Sequence, residues 1–182
     1  PLKEKTGYVF FAFLGFYSAY FIWLSLTRHY MFYSQTYDLA WEHQVLHMLA
    51  TTGFPHSTIE SIPGINNWAD HTSFIYYLLA PFYLIFRNVE FMLVTQVLAV
   101  AAAAWFLYSY AQKMLNSTVI SVILAFVFLM HPSVQGYLLE DFHPSVMVLP
   151  LFFGLLWAAE KKNMVLITVL FSVMALVRED AA

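Results

Sequence analysis

The 182-residue chain contains no cysteine, so neither a disulfide nor a thiolate-held metal can organise it. Charge is scarce as well. Only 10% of residues are Asp, Glu, Lys or Arg, against about 25% in soluble domains, which excludes a water-soluble globular domain of ordinary make-up. The net charge of −3 offers no basic surface and gives no reason to expect nucleic acid as a partner. Internal repeats and low-complexity stretches are missing too. The one cluster of chain breakers, Gly53, Pro55, Pro63 and Gly64, marks loop in the first third of the chain.

What is present is apolar. Residues 8–26, 91–110 and 119–139 form runs of bilayer length, and 145–159 and 164–177 are shorter. A span needs roughly 17–25 residues, so the last two cross only where the layer is thin or their flanks help. Residues 73–86, interrupted by Pro81, are short enough to suit an interfacial helix.

Lysine distribution chooses between threadings. The five lysines are Lys3, Lys5, Lys113, Lys161 and Lys162. All fall on one side if residues 73–86 do not cross, and the positive-inside rule makes that side cytoplasmic. Nine of the 11 acids (all but Glu4 and Glu160) and all seven histidines are then exoplasmic.

The expected architecture is all-α and polytopic: one membrane domain over 1–182 with five transmembrane helices. Residues 27–90 form an exoplasmic region carrying interfacial helices at 38–50 and 73–86. Residues 8–26 have no small-residue cleavage site after them and read as a retained anchor. The chain starts at Pro1 and stops just after a charged motif, so it is expected to be part of a longer protein.

Four polar clusters could carry chemistry. Residues 38–50 lack proline and glycine and are predicted helical, with Ser34 or Thr36 as N-cap. Asp38 and Glu42 are an i,i+4 pair on the face shared with Leu39, Val45 and Leu46, while His43, Gln44 and His47 lie opposite. Carboxylates against apolar surroundings must be paired, bind a cation, or take a raised pKa. The competing readings are acids favoured by the helix dipole, or a structural ion pair with Arg28 or Arg87.

His43 and His47 have ligand spacing but no third ligand, which favours ordinary interface histidines. Glu140-Asp141-Phe142-His143-Pro144 lies between two runs. Asp141 can cap the following helix and Pro144 suits its first turn, yet capping does not account for Glu, Asp and His together at a bilayer rim. In Arg178-Glu179-Asp180 the arginine fork suits phosphate, and a plain helix-end charge cluster competes. Asp70-His71 is equally a capping pair or part of a site.

In this order, Tyr37-Asp38-Leu39 with Glu42, His71-Thr72-Ser73 leading to Pro81-Phe82-Tyr83, Asp141-Phe142-His143-Pro144, and Arg178-Glu179-Asp180 resemble a bacterial family of polytopic membrane proteins. It is the family of the domain of unknown function 2079, a distant relative of the GT-C membrane glycosyltransferases. The resemblance runs from Tyr8 onward. Glu42 stands where the family usually has Asp, and Arg178 where it has Lys. Family members are considerably longer.

The resemblance implies a bacterial inner-membrane protein with a GT-C-like N-terminal part and a cytoplasmic N-terminus, whose sugar donor is a polyprenyl phosphate. Asp38 would be the base, and Glu42 and Asp141 supporting acids or metal ligands. His143 and Arg178 would contact phosphate, with His71, Glu179 and Asp180 also in substrate binding. A divalent cation is one implied means of neutralising the leaving group. A second reading is a non-catalytic subunit recruited by other membrane proteins. A transporter ranks third, because the runs carry no Asp, Glu, Lys or Arg at mid-membrane.

Overall fold

The computed structural model describes residues 2–59 and 73–177. Every element among them is helical: α1 (Leu2–Tyr30), a π-helical turn (Thr36–Ala40), α2 (Trp41–Thr52), α3 (Ile75–Phe86), α4 (Glu90–Leu115), α5 (Thr118–Met130), α6 (Pro132–Leu139), a 3₁₀ turn (Pro144–Met147), α7 (Val148–Glu160) and α8 (Met164–Ala175). By length and composition two helices can cross a membrane, within Lys5–Tyr30 and Glu90–Leu115, and α5 with α6 makes a bent third. Pro144–Glu160 and Met164–Ala175 are apolar but shorter.

α4 is the central post, packed by α7, α5 and α1. Ala99, Ala103, Ala104 and Ala111 are buried along it. Small side chains let neighbouring backbones approach closely, and in lipid that packing replaces the hydrophobic drive available in water. α1 runs antiparallel to α4. Phe10 stacks on Tyr108 at one end (centroids 4.4 Å apart), and Tyr30 Oη donates to Glu90 Oε1 at the other (2.7 Å). α7 brings Trp157 to Phe106 at the Tyr108 end. Tyr8, Phe16 and Trp23 of α1 and Val165 and Phe171 of α8 stay exposed, an apolar exterior suited to acyl chains.

Residues 119–139 do not form one helix. α5 and α6 meet at 50° across His131. Pro132 has no N–H and cannot continue the ladder. The resulting free ends are satisfied individually. Tyr17 Oη of α1 donates to the Leu129 carbonyl at 2.8 Å, and His131 Nδ1 accepts from the Ser133 N–H at 3.3 Å, capping α6. In a bilayer interior an unpaired carbonyl has no water to turn to, so the buried Tyr17 supplies the missing donor. His131 sits at this joint, opposite the middle of α1.

α3 lies across one end of the bundle. Its first residue donates to the Leu176 carbonyl beyond α8 (2.7 Å), Tyr76 packs on Phe142, and Phe86 stacks on Phe91 at the start of α4. Both ends of α3 therefore touch the same end of the bundle. Its 12 residues span about 18 Å, short of the roughly 30 Å hydrocarbon core.

Candidate functional site

The site is built where α1 stops. Phe32 takes a left-handed φ of 64°, and the Tyr33 N–H returns to the Arg28 carbonyl at 3.1 Å. Arg28 Nη2 donates to the Tyr33 carbonyl at 3.1 Å, while Nη1 lies 4.0 Å from Asp141 Oδ1. His29 Nδ1 meets Ser34 Oγ at 2.9 Å. Ser34 is thus engaged by α1 and does not cap the next helix. α2 begins behind the π turn at Ala40 with no side-chain cap, which corrects the expected Ser34 cap; the Thr36 side chain lies outside what the structure describes. At its other end Gly53 takes φ 78° and donates to the Leu49 carbonyl, the left-handed stop that glycine adopts without strain.

Asp141 is buried and accepts the Gln35 backbone N–H at Oδ2, 2.6 Å away. It therefore holds the 31–40 segment to the turn after α6 and does not cap the following helix, whose N-cap is His143 without a side-chain bond. Pro144 sits in the first turn there. Arg28 faces Asp141, not the Asp38–Glu42 pair.

Behind Asp141, Gln96 of α4 is fully buried and works as a clamp. Its Nε2 donates to the Tyr137 carbonyl (2.8 Å) and the Glu140 carbonyl (3.4 Å), and its Oε1 accepts the His143 N–H (3.3 Å). His143 places its ring edge-on to Tyr137, whose hydroxyl bonds Ser145 Oγ.

α2 and α3 face each other through two tyrosines two turns apart, Tyr76 and Tyr83, both without solvent exposure. Tyr76 Oη donates to the buried Glu42 Oε2 at 2.5 Å. Tyr83 Oη sits between two imidazoles, 2.9 Å from His43 Nε2 and 3.0 Å from His47 Nδ1. The phenol can donate to one ring and accept from the other, so each histidine fixes the tautomer of its neighbour. Burial, reinforced by the charge His47 would carry, lowers the His43 pKa, and burial raises that of Tyr83.

Asp38, carried on the π turn, differs from the other two acids. It is half-buried, and no hydrogen bond or ion pair holds its carboxylate among the described residues. The α3 tyrosines engage α2 from Glu42 onward, one turn beyond it. Beside this turn lies a cavity of about 480 Å³ lined by His29, Ser34, Gln35, Leu39, His43 and Val89. A second, of about 400 Å³, shares His43 and adds Gln44 and His47. None of Asp38, Glu42 and Asp141 lines either cavity.

A family model described as "Predicted membrane protein (DUF2079)" matches residues 28–182. The chain belongs to that family. It is accordingly a membrane protein, and its bilayer is the partner that family membership supports. No curated protein and no solved structure matches this DUF2079 chain.

Of the site residues expected from the sequence, Asp38, Glu42, Asp141 and His143 lie at the same end of the DUF2079 bundle. Gln35 links the Asp38 turn to Asp141, and the Tyr76–Phe142 contact (centroids 6.5 Å) joins the surroundings of Glu42 and Asp141. His71, Arg178, Glu179 and Asp180 lie outside the described residues, as does Asp70. No group of three or more His, Asp or Glu converges as a metal set among the described residues. Glu42 and Asp141 each accept a hydrogen bond from a protein donor at one carboxylate oxygen. Gln96 was not singled out by sequence reasoning, and Tyr83 entered only as part of the Pro81-Phe82-Tyr83 motif, with no role assigned to it. The His-x₃-His spacing favoured ordinary interface histidines, and nothing local identified Tyr83, 36 residues beyond His47, as the group they meet.

Proposed function

We propose that this protein is a glycosyltransferase of GT-C type that takes a sugar from a polyprenyl-phosphate donor at the exoplasmic face. The supporting observation is the division of labour among its acids. Glu42 and Asp141 are buried and hydrogen-bonded, whereas Asp38 is half-buried, with its carboxylate unengaged among the described residues, on a turn that Asp141 anchors through Gln35. A base must be reachable yet held in place, and of these three acids Asp38 alone meets both conditions.

In the proposed step an acceptor hydroxyl gives its proton to the Asp38 carboxylate as its oxygen bonds the sugar anomeric carbon. The bond from that carbon to the phosphate oxygen breaks, and the electron pair leaves on the lipid phosphate. Arg28 and Arg178, with His143 as a hydrogen-bond donor, are the groups assigned to that leaving charge. The orientation follows from the lysines, with Lys113, Lys161 and Lys162 cytoplasmic.

Asp38→Asn should abolish transfer of labelled sugar in membranes while insertion and abundance stay normal. Full transfer by that variant would overturn the reading. One observation favours an alternative, a non-catalytic subunit: Glu42 and Asp141 are both accounted for by structural bonds. A stable assembly with other membrane proteins that persists in Asp38→Asn, together with intact function, would select it.

A further inference from the structure

We infer that the opposite end of the bundle holds a binding site for the headgroup of an anionic glycerophospholipid, one offering both a phosphate and a hydrogen-bond donor. A cavity of about 660 Å³ opens there between the C-terminal ends of α4 and α7, lined by Gln112, Lys113, Asn116, Trp157, Glu160 and Lys161. Two of these side chains are ammonium groups. Lys161 Nζ lies 3.8 Å above the Trp157 ring, and Lys113 Nζ is 3.8 Å from Glu160 Oε1. The tryptophan face attracts the Lys161 ammonium and holds it at the cavity wall. Lys113 is loosely paired and exposed, free to turn toward a phosphate.

The second observation is independent of charge. Gln112 Nε2 donates to Thr118 Oγ1 at 3.0 Å, and its Oε1 is buried with no hydrogen-bond partner among the described residues. A buried acceptor without a donor costs free energy. Here the orphaned oxygen belongs to a cavity-lining side chain. A phosphodiester alone cannot satisfy it, since its oxygens only accept. A headgroup carrying hydroxyls next to its phosphodiester supplies both halves: phosphate for Lys113 and Lys161, and a hydroxyl for Gln112 Oε1 once the side chain turns that oxygen, closed to solvent in this structure, into the cavity.

Position selects lipid over a soluble phosphate. The cavity lies where helices end, beside exposed Met114, Leu115 and Met164 and the indole rings of Trp105 and Trp157. Such a belt marks the level of the headgroups, and basic pockets between helices at that level recognise acidic lipids.

The test is native mass spectrometry of the purified full-length protein titrated with phosphatidylglycerol, phosphatidic acid or phosphatidylcholine. One phosphatidylglycerol should be retained at least tenfold more tightly than phosphatidylcholine. The Lys113→Ala/Lys161→Ala double variant should lose that preference. Gln112→Leu should lose the preference for phosphatidylglycerol over phosphatidic acid while still favouring both over phosphatidylcholine. Equal retention of phosphatidylglycerol and phosphatidylcholine by the wild type, or a double variant that binds as the wild type does, overturns the proposal. Displacement of the lipid by millimolar inorganic phosphate would assign the cavity to a soluble anion and overturn it as well.

Discussion

The two ends of the bundle treat charge in opposite ways. At the α1–α4 end near Glu90, Asp141 and Glu42 are 5% and 7% exposed, and each is held by a donor within 2.6 Å. At the other end the Lys113 side chain is 68% exposed and its partner Glu160 lies 3.8 Å away. The first arrangement fixes backbone segments to one another. The second leaves side chains free to rearrange around something else. Burial therefore separates polar groups that build the molecule from polar groups available to meet a partner, and Asp38 belongs with the available ones despite lying among the builders.

That contrast can be broken by substitution. Asp141→Ala should have the largest effect on stability, on the order of 3 kcal/mol, because it strands the Gln35 N–H and leaves Arg28 facing a buried gap. Thermal unfolding in detergent, followed by intrinsic fluorescence, measures it, and a loss below about 1 kcal/mol would remove the distinction drawn here. Tyr17→Phe comes next, at about 1–2 kcal/mol, since it deletes the hydroxyl serving the Leu129 carbonyl. The same unfolding assay reads it.

The histidine pair gives a pH signature. The His43 pKa is lowered in the folded protein, so below the ordinary value of about 6.5 the unfolded chain binds more protons than the folded one. Stability is then full above that pH and declines as pH falls through it. His43→Asn should flatten this decline, and unfolding midpoints measured from pH 8 to pH 5 would reveal a slope that survives the substitution. Lys113→Ala should have the smallest effect, within about 0.5 kcal/mol in detergent stripped of phospholipid, because an exposed pair at this distance contributes little. A larger loss would mean that Lys113 is structural after all.

Membrane class, helical character and family membership were all legible in the sequence, because each rests on composition or on motifs whose residues lie close together. Pro132 was visible, yet residues 119–139 read as one run because hydropathy is blind to a missing N–H. The break becomes tolerable only through Tyr17, more than a hundred residues away in the chain. The π turn at Thr36–Ala40 changes no residue's polarity and left no sequence signal. The helical wheel set His43 and His47 opposite Glu42, whereas α3 reaches both sides of α2, because Tyr76 and Tyr83 extend beyond the stripe that apolar contacts alone would define. Asp141 drew attention as an acid at a bilayer rim. Its partner is a backbone N–H, a group that every residue but proline carries and that no pattern search can single out.

The joint at His131 has a mechanical consequence. α5 and α6 share no continuous backbone ladder, so the direction of α6 is set by its own contacts and not by the axis of α5. The Gln96 clamp ties the far end of α6 to α4, the longest of the tightly packed posts. The turn bearing Asp141 therefore takes its position from α4 and not from the helix that precedes the break.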